Sequence, residues 1–319
     1  LSDNAIYSFC KDREDGIWIG SYFGGVNYYP RSYTYFEKYY PKGIENSLHG
    51  KRVREFCRDS QGILWIGTED GGLNRFNLKT KDFSFFAPSA GFTNIHGLCL
   101  VDDKLWVGTF SKGLKVIDTR SGVVLKTYQK NDSPRSLIDN SIFAICKTAT
   151  GDIYLGTMFG LVRYNKQSDD FDRIPELNGK FIYDIKEDSA GNIWLATYAN
   201  GVYCYNVNDR KWKNYVHDDK DNTSLPYNKV SSVFEDSHRQ IWLTTQGGGF
   251  CIFHPESETF TSYNSTNGLP SDVVYQIVED KEGQLWLTTN NGLVCFQPNT
   301  EAMKVYTTAN GLLGDQFNY

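Results

Sequence analysis

The sequence predicts an all-β fold made of seven repeats, and three observations lead to this prediction. A β-rich run centred on an aromatic residue recurs seven times, at steps of 40 to 48 residues. Each run is a variant of Ile-Trp-Ile-Gly-Thr, and a glycine follows the aromatic residue six or seven positions later. Short strand-like runs with a period in the forties are typical of propellers with about four strands per blade. We therefore predict a seven-bladed β-propeller with about four antiparallel strands in each blade.

The repeats fill the chain from end to end. The aromatic anchors are Trp18, Trp65, Trp106, Tyr154, Trp194, Trp242 and Trp286. The predicted repeats are approximately 1–46, 47–92, 93–137, 138–178, 179–225, 226–269 and 270–310, and 311–319 begins a further repeat. We expect one propeller domain over 1–319, closed as a single ring, because open sheets expose edges that aggregate. A segment cut across the border of two rings is the alternative.

Repeat two shows the expected order of elements most clearly. Strands are predicted at 53–58, 64–68, 72–77 and 83–86, with a turn at 59–62. Asp59 and Gly62 fit the first and fourth positions of a type I turn, in which the carboxylate accepts backbone N–H groups. The recurring aspartates are therefore interpreted as turn residues. The aromatic anchors are interpreted as packing between sheets rather than as ligand contacts.

Composition excludes several classes of protein. The 319 residues carry a net charge of -5, which argues against binding to a phosphate backbone. No apolar run of about 18 residues is present, so no membrane-spanning segment is predicted. The chain begins at Leu1 without a signal peptide, and we expect it to be a piece of a longer protein. The seven cysteines have no CxxC spacing, so we expect buried free thiols rather than disulfides or a metal site.

The sequence stops being repetitive on one predicted face of the propeller. The loops between the second and third strands of the blades lie on that face, together with the connections between blades. These loops carry five aromatic residues among amide and carboxylate neighbours, a combination that suits a sugar, whose ring stacks while its hydroxyls form hydrogen bonds. The candidate ligand-binding residues are Tyr22, Phe23, Arg52, Glu69, Asp70, His96, Phe110, Asn140, Phe159, Tyr183, Tyr198, Tyr227, Gln246 and Asn290. The alternative is that these rings only pack on neighbouring loops.

Motifs for catalysis, metals or cofactors are not found in the sequence. The five histidines have neither HxH nor HExxH spacing, and no GxSxG elbow is present. Glu69 and Asp70 face the predicted ligand side, so a pair of glycosidase carboxylates stays open as a minor alternative. We predict no catalytic residues, no metal and no cofactor for this segment.

The repeats resemble a known family. Residues 63–76 (Ile-Leu-Trp-Ile-Gly-Thr-Glu-Asp-Gly-Gly-Leu-Asn-Arg-Phe) and the connection 267–274 (Asn-Gly-Leu-Pro-Ser-Asp-Val-Val) are similar to the regulator-propeller repeats of hybrid two-component sensors in Bacteroidetes. The resemblance covers all seven copies. It implies a periplasmic sensor segment of a membrane-anchored histidine kinase that responds to glycan fragments. It also implies that a second propeller and a β-sandwich accompany this segment, and that the kinase works as a dimer.

The function expected from these observations is non-catalytic recognition of an oligosaccharide, followed by a signal to the kinase. Two alternatives stay open. A propeller that serves only as a protein–protein scaffold would bind no small ligand and would expose a large apolar patch. A carbohydrate-active or lyase-type propeller enzyme would turn its ligand over.

Overall fold

The computed structural model describes residues 2, 4–13, 16–29, 36–86 and 92–318. Leu1 and Tyr319, the ends of the predicted first and last repeats, lie outside the described residues. Within these residues the regular structure consists of 27 strands and three short 3₁₀ helices, Pro175–Leu177, Ser265–Asn267 and Thr308–Asn310. The strands form seven antiparallel sheets in chain order; the first has three strands and the other six have four. The prediction of an all-β propeller is confirmed.

The strands of each sheet follow one another along the chain. Sheet 1 contains β1 (Ile6–Lys11), β2 (Ile17–Ser21) and β3 (Gly25–Tyr29), and sheet 2 contains β4 (Val53–Arg58), β5 (Ile63–Thr68), β6 (Gly72–Asn77) and β7 (Phe83–Phe86). Sheet 3 contains β8 (Ile95–Val101), β9 (Lys104–Thr109), β10 (Leu114–Asp118) and β11 (Val124–Tyr128), and sheet 4 contains β12 (Ile142–Lys147), β13 (Ile153–Thr157), β14 (Gly160–Asn165) and β15 (Asp170–Arg173). Sheet 5 contains β16 (Ile182–Glu187), β17 (Ile193–Thr197), β18 (Val202–Asn206) and β19 (Lys211–Tyr215). Sheet 6 contains β20 (Val230–Glu235), β21 (Ile241–Thr245), β22 (Phe250–His254) and β23 (Thr259–Tyr263), and sheet 7 contains β24 (Val274–Glu279), β25 (Leu285–Thr289), β26 (Gly292–Gln297) and β27 (Ala302–Tyr306).

The described residues fall into two units. One comprises residues 1–38 and 306–314, and the other comprises residues 39–305 and 315–319. In the first unit every residue of β1 is exposed, and Trp18 of β2 is exposed as well, unlike the anchors of the later repeats. In the second unit Trp65, Trp106, Trp194 and Trp242 are buried, as the packing interpretation predicts.

The second unit is a series of sheets in which each first strand lies beside the next. Strands β4, β8, β12, β16, β20 and β24 contact one another in that order. Glycines near the ends of the second strands allow the close approach. A Cβ atom at Gly67 would lie 2.6 Å from Ile95 of the next sheet, and a Cβ at Gly108 would lie 2.7 Å from Ile142. These glycines therefore let the first strand of the next sheet lie against the second strand.

A hydrogen bond between an aspartate and the anchor tryptophan recurs within the blades. In repeat six the Oδ1 atom of Asp236 accepts the backbone N–H groups of His238 and Gln240, while its Oδ2 atom accepts the Trp242 indole N–H at 2.8 Å. The same indole bond joins Asp12 to Trp18, Asp59 to Trp65, Asp188 to Trp194 and Asp280 to Trp286. We call this bond the Asp–Trp latch. It confirms the structural interpretation of the repeated aspartates.

The seven cysteines are free thiols. Cys204, Cys251 and Cys295 are buried, and burial raises the pKa of Cys204 to about 12, so that this thiol stays protonated at neutral pH. Cys57, Cys99 and Cys146 are half-buried. The prediction of a buried thiol is wrong for Cys10, which is exposed like every other residue of strand β1.

Two carboxyl groups face the interior of the second unit from equivalent positions of β4 and β16. Burial and, to a smaller extent, the nearby Asp184 carboxyl raise the pKa of Glu55 to about 8. Burial also raises the pKa of Asp184, whose carboxylate accepts the backbone N–H of Val233 in the next sheet at 3.0 Å. Both groups therefore hold their protons at a higher pH than exposed carboxyls do.

The two ends of the series leave apolar side chains uncovered. Phe56 of β4 is 57% exposed, although Val233, at the same register in β20, is only 4% exposed. At the other end, Val278 of β24 is 56% exposed. A single ring of seven repeats requires that a blade covers these faces. The prediction that residues 1–319 close as one ring stays a prediction.

Removal of the Asp–Trp latch should destabilise the fold. We expect Asp236→Ala to lower the free energy of unfolding by about 2 kcal/mol or more, because it leaves the buried Trp242 N–H without an acceptor. Asp118→Ala is the matched control, since Asp118 accepts turn N–H groups but holds no indole; it should cost less than about 1 kcal/mol. Urea denaturation measures both variants. Equal losses would show that the turn, and not the latch, carries the stability.

Glu55 should make stability depend on pH. Its pKa is raised in the folded chain, so between about pH 5 and 8 the folded state binds more protons than the unfolded state, and the free energy of unfolding falls as pH rises. We expect Glu55→Gln to flatten this fall. Denaturation at pH 5, 6, 7 and 8 measures the slope, with exposed Glu256→Gln as control. An unchanged slope in Glu55→Gln would contradict the assignment.

Phe56 provides a test of the single ring. If seven repeats close, the Phe56 ring is covered in solution, and we expect Phe56→Ser to lower the free energy of unfolding by more than about 1 kcal/mol. Val233→Ser, at a buried position of equivalent register, is the reference for a covered side chain. A change within about 0.5 kcal/mol, as for an exposed residue, would contradict the single ring.

Candidate functional site

The candidate site is built from three positions that recur in sheets 2 to 7. These are the residue before the first strand, the second residue of the first strand, and the residue that follows the second strand. A backbone hydrogen bond joins the first and third of these positions in every blade, for example from Glu69 N–H to Arg52 O at 2.9 Å and from Tyr198 N–H to Phe181 O at 3.0 Å. We call this set the mouth, and it comprises Arg52, Arg54, Glu69, Asn94, His96, Phe110, Ser141, Phe143, Met158, Phe181, Tyr183, Tyr198, Lys229, Ser231, Gln246, Val273, Tyr275 and Asn290.

The second residue of each first strand reaches the mouth because it lies at a β-bulge. The pairing between the first two strands of a sheet shifts between the first and third residues of the inner strand, for example between Val53 and Glu55 in sheet 2 and between Ile182 and Asp184 in sheet 5. The residue between them has no partner in the ladder, and a bulge redirects its side chain. Arg54, His96, Phe143, Tyr183, Ser231 and Tyr275 all occupy this position.

The loops that carry the third position are held by a threonine. Thr68, Thr109, Thr157, Thr197, Thr245 and Thr289 end the second strands and are fully buried. Each hydroxyl donates across the loop to a glycine carbonyl, as Thr197 does to Gly201 O at 2.6 Å. Gly201 has φ of 71°, and a Cβ there would lie 2.1 Å from Tyr215 O, so only glycine fits. The loop residue at the mouth therefore has a fixed position.

Sheets 2 and 3 form a polar cluster in the mouth. Arg54 Nη2 donates to His96 Nδ1 at 2.9 Å, and Arg54 Nη1 lies 3.4 Å from Glu69 Oε1. His96 Nε2 lies 2.6 Å from Asn94 Oδ1. Burial and the Arg54 charge lower the pKa of His96 to about 3, so the imidazole is neutral and donates through Nε2. Arg52, more exposed, lies 3.8 Å from Glu69.

Sheets 3 to 5 form an aromatic cluster beside the polar cluster. The Phe143 ring lies 4.7 Å from His96 and 4.5 Å from Phe181, measured between ring centroids. Phe181 stacks on Tyr198 at 5.4 Å. Burial and the Tyr198 hydroxyl raise the pKa of Tyr183 to about 12, so its hydroxyl stays neutral and can donate. Phe110 and Tyr198 are 39% and 44% exposed and offer ring surface to solvent.

Sheet 6 completes this part of the mouth with a cation and two donors. Lys229 Nζ lies 4.4 Å from the centroid of the Tyr198 ring. Among the described residues, the buried Ser231 hydroxyl and the buried Gln246 Nε2 have no hydrogen-bond partner. Buried donors of this kind are satisfied in folded proteins by a protein group, a water molecule or a ligand.

The mouth brings together eight of the residues predicted from the sequence. They are Arg52, Glu69, His96, Phe110, Tyr183, Tyr198, Gln246 and Asn290. The sequence analysis did not identify Arg54, Phe143, Phe181 and Lys229. Arg54 and Phe143 have the pattern of ordinary residues in a buried strand, and Phe181 and Lys229 stand directly before such a strand. The recurring position itself is the signal that could have identified them.

Asn290, also predicted, follows β25 at the edge of the mouth, where its Oδ1 accepts from Gln316 Nε2 at 2.9 Å. Asp70 and Asn140 hold connections: Asp70 accepts the backbone N–H groups of Lys51 and Arg52, and Asn140 accepts that of Lys130.

The remaining predicted aromatic residues lie outside the set. Phe159 is exposed in the loop after Met158, and the Tyr227 ring packs over Gly247. Tyr22 and Phe23 belong to the first unit, where their rings lie 4.6 Å apart and Phe23 is 88% exposed.

The mouth combines ring faces, hydrogen-bonding groups and charged side chains. Within the described part of the chain, no group of three or more histidine, cysteine, aspartate or glutamate side chains is placed to hold a metal ion. Also within it, no helix has the length and hydropathy that crossing a bilayer requires. The neutral His96 is held by Arg54 and Asn94, and Glu69 lies beside two guanidinium groups.

Comparisons with known proteins agree with the repeats. The family model described as "Two component regulator propeller" matches residues 1–23, 47–70, 176–199 and 268–291. Histidine kinase P4 of Formosa agariphila is 29% identical over 242 residues, which are 70% of this chain and 17% of that protein. The chain thus spans about a sixth of the length of this curated relative.

Solved structures show the same fold. The extracellular domain of a hybrid two-component system from B. thetaiotaomicron is 26% identical, with a TM-score of 0.61 over 98% of this chain and 42% of that one. Virginiamycin B lyase from Staphylococcus aureus is 14% identical, with a TM-score of 0.65 over 82% of this chain and 86% of the lyase, and shows the propeller fold alone. The four matched segments of this chain are thus similar to two-component regulator propeller repeats.

Proposed function

We propose that this chain is the ligand-sensing segment of a two-component histidine kinase system and that its mouth binds an oligosaccharide. The observation that carries the proposal is the contiguous surface of exposed rings and hydrogen-bonding groups across sheets 2 to 6. Phe110 and Tyr198 offer faces on which a sugar ring can stack. Arg52, Glu69 and Gln246 lie beside them and can bind hydroxyl groups.

The place of the chain in a larger protein supports the sensing role. The relatives are a histidine kinase and the extracellular domain of a hybrid two-component system, and both are much longer than the matched segment. We therefore infer a periplasmic location in an inner-membrane-anchored protein, with a second propeller, a β-sandwich and the kinase as covalent partners and a homodimer as the working state. Catalysis is not part of the proposal, because Glu69 and His96 are both engaged by Arg54.

Tyr198→Ala tests the mouth. We first expect a member of a panel of neutral and acidic glycan oligomers to raise the Tm of the purified chain, because a ligand that binds only the folded state stabilises it. For that oligomer, Tyr198→Ala should raise the Kd about tenfold, equal to about 1.4 kcal/mol of lost ring contact.

Phe85→Ala is the matched control for this experiment. Phe85 is 40% exposed and stacks on His49 at 4.4 Å, much as Tyr198 stacks on Phe181, but it belongs to an outer strand. It should leave the Kd unchanged. If no oligomer shifts the Tm, or if both variants weaken binding equally, the mouth is not the sugar site; product formed on incubation would favour an enzyme instead.

A further inference from the structure

A second feature of the molecule lies away from the mouth, where two neighbouring repeats depart from the Asp–Trp latch. In repeat three the turn between β8 and β9 is shortened to Asp102 and Asp103, so no aspartate stands six residues before Trp106. In repeat four Thr148 and Tyr154 replace the aspartate and the tryptophan. Sheets 3 and 4 are adjacent, and the turn of repeat four at Gly151 and Asp152 lines the same cleft as Trp106, whereas Tyr154 packs toward sheet 5.

Trp106 is the exception among the anchor tryptophans. It is only 4% exposed, and among the described residues no acceptor lies within hydrogen-bond distance of its indole N–H. The other five anchor tryptophans all donate this hydrogen to an aspartate. An N–H group that reaches solvent without a protein acceptor is open to a water molecule or a ligand.

The Trp106 indole lines a cleft of about 550 Å³ between sheets 3 and 4. This volume lies in the range of small-molecule sites and is far larger than an inorganic ion needs. Val101, Val116 and Ile153 provide apolar surface. Tyr128 and Tyr164 line the cleft too, and both hydroxyls donate to Asp169 Oδ1, at 2.6 and 2.7 Å, which fixes their rings.

The cleft is positively charged, although the chain as a whole carries -5. Its lining holds five cations, Lys104, Lys126, Lys147, Arg163 and Lys166, against three aspartates, Asp102, Asp152 and Asp172. Lys147 pairs with Asp102 at 3.0 Å, Arg163 lies 3.5 Å from Asp172, and Lys126 pairs with Asp169.

After these three ion pairs, Lys104 and Lys166 remain against Asp152, which leaves a surplus of one positive charge. Within the described part of the chain, no carboxylate lies within 4 Å of either ammonium group. The hydrogen bond from Lys147, aided by the charges of Lys166 and Lys104, lowers the pKa of Asp102. The cleft therefore has cationic groups available for an additional anion.

We propose that the cleft between sheets 3 and 4 is a second binding site, which takes a small organic anion with a hydroxylated ring, of the size and chemistry of a hexuronate. The Trp106 N–H donates to a ring or carboxylate oxygen of the ligand. Lys104 and Lys166 neutralise its carboxylate, and the apolar lining covers the carbon face of its ring. The proposal does not rest on the function of the mouth, which is built from other residues.

The first experiment is isothermal titration of the intact chain with glucuronate, glucose and inorganic sulfate. We expect glucuronate to bind at least tenfold more tightly than glucose, which lacks the charge, and than sulfate, which lacks the ring. Equal binding of glucose would show that the cations are not used. Equal binding of sulfate would reduce the site to an adventitious ion only. Either outcome overturns the proposal.

Two variants and their controls locate the binding. Lys104 and Lys166 are exposed, so Lys104→Gln with Lys166→Gln should leave the fold intact and raise the Kd for glucuronate at least fivefold. Lys211→Gln with Lys281→Gln removes the same charge from exposed positions elsewhere and should not change the Kd. Equal effects of the two pairs would show a general charge effect and overturn the site.

Trp106→Phe removes the indole N–H and should also weaken glucuronate binding at least fivefold. Trp286→Phe is its control, because that N–H is bound by Asp280 away from the cleft. Tyr198→Ala in the mouth should leave glucuronate binding to the cleft unchanged. Loss of glucuronate binding in Tyr198→Ala, with Trp106→Phe unaffected, would place the anion in the mouth and overturn the proposal.

Discussion

The hydrogen bond from the buried threonine at the end of each second strand is the constraint on which the functional face depends. It closes the loop between the second and third strands against a glycine carbonyl, in six blades of the second unit and with nearly the same length. Because the threonine is buried, the bond is protected from competition with water. The residue directly after each threonine can then differ in type from blade to blade without a change in the loop backbone. Glutamate, phenylalanine, methionine, tyrosine, glutamine and asparagine all stand on the same backbone frame at the mouth.

The second recurring interaction, the Asp–Trp latch, holds the opposite ends of the same strands. Each aspartate binds two turn N–H groups and one indole, so a single carboxylate fixes both the turn and the anchor ring. Sheets 3 and 4 do without it, and their edge is held instead by ion pairs such as Lys147–Asp102 and by the Tyr128 and Tyr164 hydroxyls on Asp169. In the described part of the chain, no aspartate occupies the space beside the Trp106 indole, and the cleft lies there.

The sequence predicted the scaffold well because the repeat specifies it several times over. Strands β4, β6 and β7 have the predicted bounds, and β5 begins one residue earlier, at Ile63. The turn at Asp59 has the predicted hydrogen bonds. The candidate site was predicted only in part. Arg54 and Phe143 were missed because alternation along a strand assigns each residue to one face, and a β-bulge interrupts that alternation at their position. The amino-acid composition of a single strand does not show whether the strand contains a β-bulge.

The same reasoning explains why the cleft was not predicted. Repeats three and four read as imperfect copies, and an imperfect copy of a structural motif is normally a neutral variation. Its meaning depends on what lies next to it in three dimensions: the missing latch at Trp106 faces the turn of repeat four, at Gly151 and Asp152, across one cleft. Lysines from β9, β12 and the turn after β14 then surround that space. In a repetitive fold, binding chemistry is expected where a repeat departs from its motif and leaves a donor unpaired, as the Trp106 N–H is here.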